Sequence, residues 1–192
     1  MAVSKLILAS GSPRRRQLLG EAGLQFECIE SGFEERRTPG ENARAYALRM
    51  AEAKAIAVSH NHPDAVVLGA DTVVECSGEI LEKPRDAEDA HRMLATLSGR
   101  AHTVVTAFAI AREGRIEEAG AIESLVFFRP LSHDEIRSYI GTGEPFDKAG
   151  AYGIQGVGGG FISRVDGPRD NVMGLPVAEV LAALARFAIE PG

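Results

Sequence analysis

Cysteine is scarce in this 192-residue chain: only Cys28 and Cys76 occur, far apart and in no metal-ligand spacing. That excludes a disulfide-stapled secreted scaffold and suits a reducing cytosol. Long apolar runs are missing as well. Met1-Ala2-Val3-Ser4-Lys5 leads into a short apolar segment, with no signal-peptide layout and nothing near the roughly 18 apolar residues of a membrane span. Positive charge is not in excess: 21 Lys and Arg stand against 27 Asp and Glu, a net charge of −6. A non-specific binder of DNA or RNA would want a basic surface, so that class is disfavoured. A small anion is not, because a few local cations can hold one. No period of 20–50 residues repeats and no low-complexity stretch occurs. The P-loop lysine pattern and the G-x-S-x-G elbow are absent, which leaves a standard P-loop NTPase and a serine hydrolase without support. His60 and His62 flank Asn61 in a polar loop with no accompanying ligand set, a poor zinc site.

What is present is a globular composition, 45% hydrophobic and 25% charged. A chain of this size buries roughly 70% of its unfolded surface. No proline- or serine-rich linker interrupts it, so a single domain over residues 1–192 is expected. Leu6-Ile7-Leu8-Ala9 reads as a buried strand, broken by Ser10-Gly11-Ser12-Pro13. Arg14 to Ala22 then reads as a helix, with Ser12 as N-cap and Pro13 in its first turn. Residues 42–59 form the clearest helix, with Ala43, Ala47, Met50, Lys54 and Ala57 on one face. Ala65 to Cys76 is strand-like and turns at Ser77-Gly78 into Glu79-Ile80-Leu81. Asp86 caps a helix that ends at Ser98-Gly99. His102–Ala111 and Ile116–Phe128 read as strands joined at Glu113-Gly114. Ser132 to Glu135 is a capping box for a helix to about Ile140. A glycine-rich segment, 141–160, precedes a strand near Phe161-Ile162-Ser163, and a last helix starts at Val177. Hairpins mixed with helices predict an α/β fold with a mixed sheet.

Several segments could carry chemistry, and each has two readings. Ser10 to Arg16 places a glycine loop, a helix start and three arginines together. Cations in a first helical turn are electrostatically misplaced, so either a bound anion compensates them or the turn is a solvated basic cap. Asp71 lies in an apolar strand, where a buried carboxylate needs a partner or a job. It is either a general base, beside a metal or a water, or an acid capping a strand bend. Lys54 interrupts an apolar helix face, and either snorkels past the core edge or points into a cleft. Lys83-Pro84 follows the short hairpin strand, as a ligand or as a surface charge. In Asp147 to Gly156, Tyr152 could stack on a base and Gln155 could pair with a base edge, or the segment is a flexible loop. Gly156-Val157-Gly158 precedes a strand-like run rather than a helix, so it is not a dinucleotide fingerprint. Glu34 and Glu35 are a further source of carboxylates, or an ordinary acidic loop.

Taken together, the chain resembles the Maf family, septum-formation-inhibitor-like nucleotide pyrophosphatases. The resemblance rests on SGSPRR (10–15), the Glu34 loop, Lys54 in AEAKA, GADTVV (69–74), LEKP (81–84), LSGRAHTVVT (97–106), DKAGAYGIQG (147–156) and GLP (174–176), in order along almost the whole chain. DKAGAYGIQG is most similar to the subgroup acting on dTTP and UTP. The resemblance implies cleavage of a nucleoside triphosphate between its α and β phosphates, with Asp71 activating water. It implies substrate selection by Arg14, Thr72 and Gln155, and phosphate binding by Ser10, Ser12, Arg14, Arg15, Lys54 and Lys83. Glu34 and Asp71 would hold a divalent cation, Mg²⁺, Mn²⁺ or Co²⁺. Arg16 is a departure, a third arginine after the usual pair. The implied fold is an elongated mixed sheet flanked by helices, with a cleft between two lobes, related to the inosine-triphosphatase fold. Cytoplasmic location and a homodimer fit the resemblance. A non-hydrolytic nucleotide-binding regulator of cell division is the alternative of a different class, and an orthophosphate-releasing phosphatase is a third.

Overall fold

The computed structural model describes residues 5–33 and 37–192. Seven strands form one sheet in the order β2-β1-β3-β5-β6-β7, with β4 pairing with β3 off that path. The strands are β1 (Lys5–Leu8), β2 (Glu27–Cys28), β3 (Ala65–Cys76), β4 (Glu79–Leu81), β5 (Ala101–Arg112), β6 (Arg115–Phe128) and β7 (Ile162–Asp166). The helices are α1 (Pro13–Glu21), α2 (Ala43–Ser59), α3 (Ala87–Leu97), α4 (His133–Ile140), α5 (Arg169–Met173) and α6 (Val177–Ala185). β1 pairs parallel with β2 and β3, whereas β3–β4 and β6–β7 are antiparallel. The expected mixed α/β architecture is the observed one.

Contacts divide the chain into two compact units, and β3, β5 and β6 each run from one into the other. The first comprises 1–71, 106–122 and 174–192. Its central β1 is a continuous apolar run, Leu6-Ile7-Leu8, as a strand covered on both faces requires. Ile7, Ala9, Val58, Ala65 and Val67 pack together there. α2 starts where Asn42 Oδ1 accepts from the Ala45 N–H at 2.8 Å. Its buried face continues to Val58 rather than to the expected Ala57, which is half-buried.

Gly69 decides how closely α2 approaches β3. A Cβ built there would lie 2.3 Å from the Ala51 carbonyl oxygen and 2.7 Å from the Ala55 nitrogen. Only a bare backbone lets the helix sit this close. Gly69→Ala is therefore expected to cost about 1–3 kcal/mol or more, since helix backbone rather than a pliable side chain must move. Urea unfolding measures it, and an unchanged midpoint would mean that α2 can back away freely.

The second unit comprises 72–105 and 123–173. Its core joins Leu81, Met93, Leu94 and Leu97 to Val126, Phe128, Ile136, Tyr139, Tyr152 and Phe161. Its capping signals act as read. Asp86 accepts from the Asp89 N–H, and Ser132 with Glu135 forms a reciprocal capping box. Glu135, bonded by Arg129 and by Ser132, is held down to about 2. Asp89 is buried, which works against its charge, yet hydrogen bonds from Arg85 and Arg92 outweigh this and lower its pKa. The 141–160 segment is not the loose loop of one reading but a series of short 3-10 turns, Glu144–Asp147, Ala149–Ala151 and Val157–Phe161. β2 and α5, two and five residues long, were not expected from the sequence.

Candidate active site

In the first unit, β1 delivers the chain to the loop before α1. Ser10, buried, accepts at Oγ from the Ser12 N–H and from Arg15 Nη1, both at 3.2 Å. Ser12 is the N-cap of α1, its Oγ 3.5 Å from the Arg15 nitrogen. Arg15 Nε donates to the Gly174 carbonyl at 2.8 Å, so the backbone leading into α6 fixes the guanidinium. Arg14 is half-buried and Arg16 exposed. Of the three arginines, Arg15 is thus held by both the loop and the chain's last segment.

A short, buried polar contact in this unit lies between α2 and β3. Lys54 Nζ donates to Asp71 Oδ1 at 2.6 Å, with the two residues 8% and 6% exposed. The lysine therefore does not snorkel outward; it is turned in to a carboxylate. Asp71 is two residues beyond Gly69, on the same face of the strand. Lys54 sits on the α2 turn that Gly69 admits, between Ala51 and Ala55. A glycine within a strand pattern is a signal of close backbone approach, and it was legible in the sequence.

Thr72, Lys83 and Gln155 belong to the second unit. Thr72 follows Asp71 on β3 and is half-buried. Lys83 is exposed, between Glu82 and the buried Pro84. The Glu82 carbonyl accepts from the Gly150 N–H at 3.1 Å, which ties the Lys83 loop to the glycine-rich segment. Gln155 is exposed within that segment. Glu34 lies outside the described residues.

Tyr152 requires a correction. It is 5% exposed, edge-on to Phe128 at a centroid distance of 4.7 Å, and its hydroxyl pairs with His102 Nε2 at 2.7 Å. It is a core residue, unavailable for stacking on a base. Burial pushes the His102 pKa down from 6.5 to about 4. The unfolded chain takes up this proton near pH 6.5 and the folded chain only near pH 4. Stability fully present above 6.5 is therefore lost as the pH falls through that window, by about 3 kcal/mol. His102→Gln retains a partner for Tyr152 and is expected to flatten this acid dependence in urea titrations. An equally steep dependence in the variant would assign it to other groups.

Among the described residues no group of three His, Cys, Asp or Glu could hold an ion. A hard cation such as Mg²⁺ needs only one or two carboxylates when phosphate oxygens complete its shell. Asp71 is a single carboxylate on β3, so it could hold such an ion only together with oxygens from elsewhere.

The Maf-like protein family model matches residues 5–187. The chain belongs to the Maf family. Named relatives of this Maf chain include the dTTP/UTP pyrophosphatase of Escherichia coli O157:H7, 48% identical over 186 residues, covering 96% of this chain and 94% of the relative. The dTTP/UTP pyrophosphatase of Desulfotalea psychrophila is 47% identical over 185 residues, covering 96% and 95%. Among solved structures, a nucleoside-triphosphatase / dITP/XTP pyrophosphatase from Mycobacterium abscessus aligns over 96% of each chain at 16% identity. Its TM-score of 0.46 is too low to assign a fold.

Proposed function

We propose that this Maf protein hydrolyses dTTP and UTP between the α and β phosphates, releasing pyrophosphate and the nucleoside monophosphate. The observation that carries the reading is the buried Lys54–Asp71 pair at 2.6 Å. Isolating two opposite charges in an interior is weak support for a fold, since apolar residues of equal volume often serve as well. It is what a reaction that moves a proton and develops negative charge needs.

Asp71 takes a proton from the attacking water as its oxygen bonds to the α phosphorus and the bond to the β-phosphate oxygen breaks. Both electrons of that bond leave with pyrophosphate. Arg15, Lys54 and Lys83, with Ser10, Ser12 and Arg14, bind phosphate oxygens. Arg14, Thr72 and Gln155 select the substrate, and the Gln155 amide can both donate to and accept from a base edge. A divalent cation, Mg²⁺, Mn²⁺ or Co²⁺, would be held by Asp71 and Glu34 and would supply positive charge against the phosphate oxygens. A homodimer acting on cytoplasmic nucleotides is the assembly and setting that accord with this reading. Among the described residues no helix is long and apolar enough to cross a membrane.

Incubation with dTTP or UTP and a divalent cation tests the reading. The expected products are the monophosphate and pyrophosphate. Orthophosphate release would indicate a phosphatase. Tight binding without product, across several metals and nucleotides, would indicate the cell-division regulator.

A further inference from the structure

The second unit holds a carboxylate that the proposed chemistry leaves unused. Glu144 opens the first 3-10 turn of the glycine-rich segment. Its Oε2 accepts from the Val157 N–H at 3.0 Å, and its Oε1 from the Gly158 N–H at 3.2 Å and the Tyr139 hydroxyl at 3.0 Å. Tyr139 is buried, and that burial together with the bond to Glu144 pushes its phenol up, so it remains a donor. The backbone of Glu144 is anchored as well. Its N–H donates to Thr142 Oγ1 at 3.2 Å, and its carbonyl accepts from Lys148 Nζ at 2.6 Å.

Gln155 lies in the short arc that this carboxylate fastens. On its far side, Val157 and Gly158 are held by the Glu144 oxygens. On its near side, the position of a Cβ on Gly153 is occupied by Lys148 Cε at 2.8 Å. Between them Gly156 adopts φ 82 and ψ −155, a conformation essentially closed to other residues. A Cβ at Gly156 would also fall 2.8 Å from Glu144 Oε2. The arc is therefore fixed in shape, while the Gln155 side chain at its crest is exposed. An amide that reads a base edge discriminates only if its backbone is held, because a wandering reader pairs with any base.

We infer that Glu144 is the positioning residue for base selection: by fastening the 156–158 backbone it presents Gln155 to a uracil or thymine ring. In this role Glu144 acts through Gln155 and not on the substrate itself. The inference deepens the proposed dTTP/UTP activity and rests on it.

The test compares kcat and KM for UTP and CTP in wild type, Gln155→Ala, Glu144→Gln and the double variant. Glutamine keeps the length of Glu144 but turns an NH₂ toward an N–H that needs an acceptor. Glu144→Gln is expected to lower the UTP-to-CTP ratio of kcat/KM by about tenfold, the worth of one well-placed hydrogen bond. The loss should be carried by KM for UTP, with kcat nearly unchanged. In the Gln155→Ala background the same change should add nothing. Gly156→Ala strains the arc from the other side, should shift the ratio likewise, and carries the test if Glu144→Gln fails to fold. Equal losses on both nucleotides, or additive effects in the double variant, would overturn the positioning role. A wild type that releases no pyrophosphate would instead overturn the underlying activity, and one that does not favour UTP over CTP would overturn base selection by Gln155, before any variant is made.

Discussion

Asp71→Asn is expected to reduce turnover of dTTP and UTP by roughly 10²–10⁴-fold, the usual contribution of a positioned general base. Asparagine has the volume and shape of aspartate, and its amide oxygen can still accept from Lys54 Nζ where Asp71 Oδ1 now does at 2.6 Å. The contact between α2 and β3 should survive, so the loss is chemical rather than architectural. Pyrophosphate release at saturating nucleotide measures it, with a thermal melt to establish folding. The reduction should appear in kcat, because the proton is transferred only in the transition state. Turnover near that of wild type in a folded Asp71→Asn protein would remove Asp71 from this role. A change confined to KM would recast it as a ligand for the phosphates or their counter-ion.

Much of the fold is legible in the sequence because its signals are local. Ser12, Asp86 and Ser132 each cap a backbone N–H three residues ahead, so a short window contains both partners. The turns at Ser77-Gly78 and Glu113-Gly114 place both residues at positive φ, as two-residue hairpins require. The site is legible differently. That Lys54 is out of place on its helix face, and Asp71 in its strand, can be read from their neighbours. That each is the other's partner cannot, because 17 residues and a helix-to-strand crossing separate them. Tyr152 shows the opposite failure. A tyrosine among glycines looks like an exposed loop aromatic, but His102, 50 residues earlier, receives it in the core. Glu144 gave no signal at all: a Glu-Pro pair is an ordinary turn until the N–H groups 13 and 14 residues onward are folded against it.

Lys54→Met should produce the largest loss of stability of these substitutions, about 3–5 kcal/mol, because it removes one partner of a buried ion pair and leaves the other's charge in place. Methionine matches the length of the lysine stem and suits the apolar face of α2, so packing contributes little to the loss. The cost arises at Asp71, 6% exposed, whose carboxylate would keep its desolvation without its ammonium. Removing that charge as well should relieve it. The double variant Lys54→Met/Asp71→Asn is expected to regain most of the lost stability, a non-additivity that a double-mutant cycle in urea reads directly. If Lys54→Met unfolds at the wild-type midpoint, other groups compensate the carboxylate and the pair has no energetic coupling. The double variant also separates fold from function. If it is stable yet releases no pyrophosphate, then α2 and β3 can pack without the two charges. The pair's place in the interior would then be explained by the reaction alone.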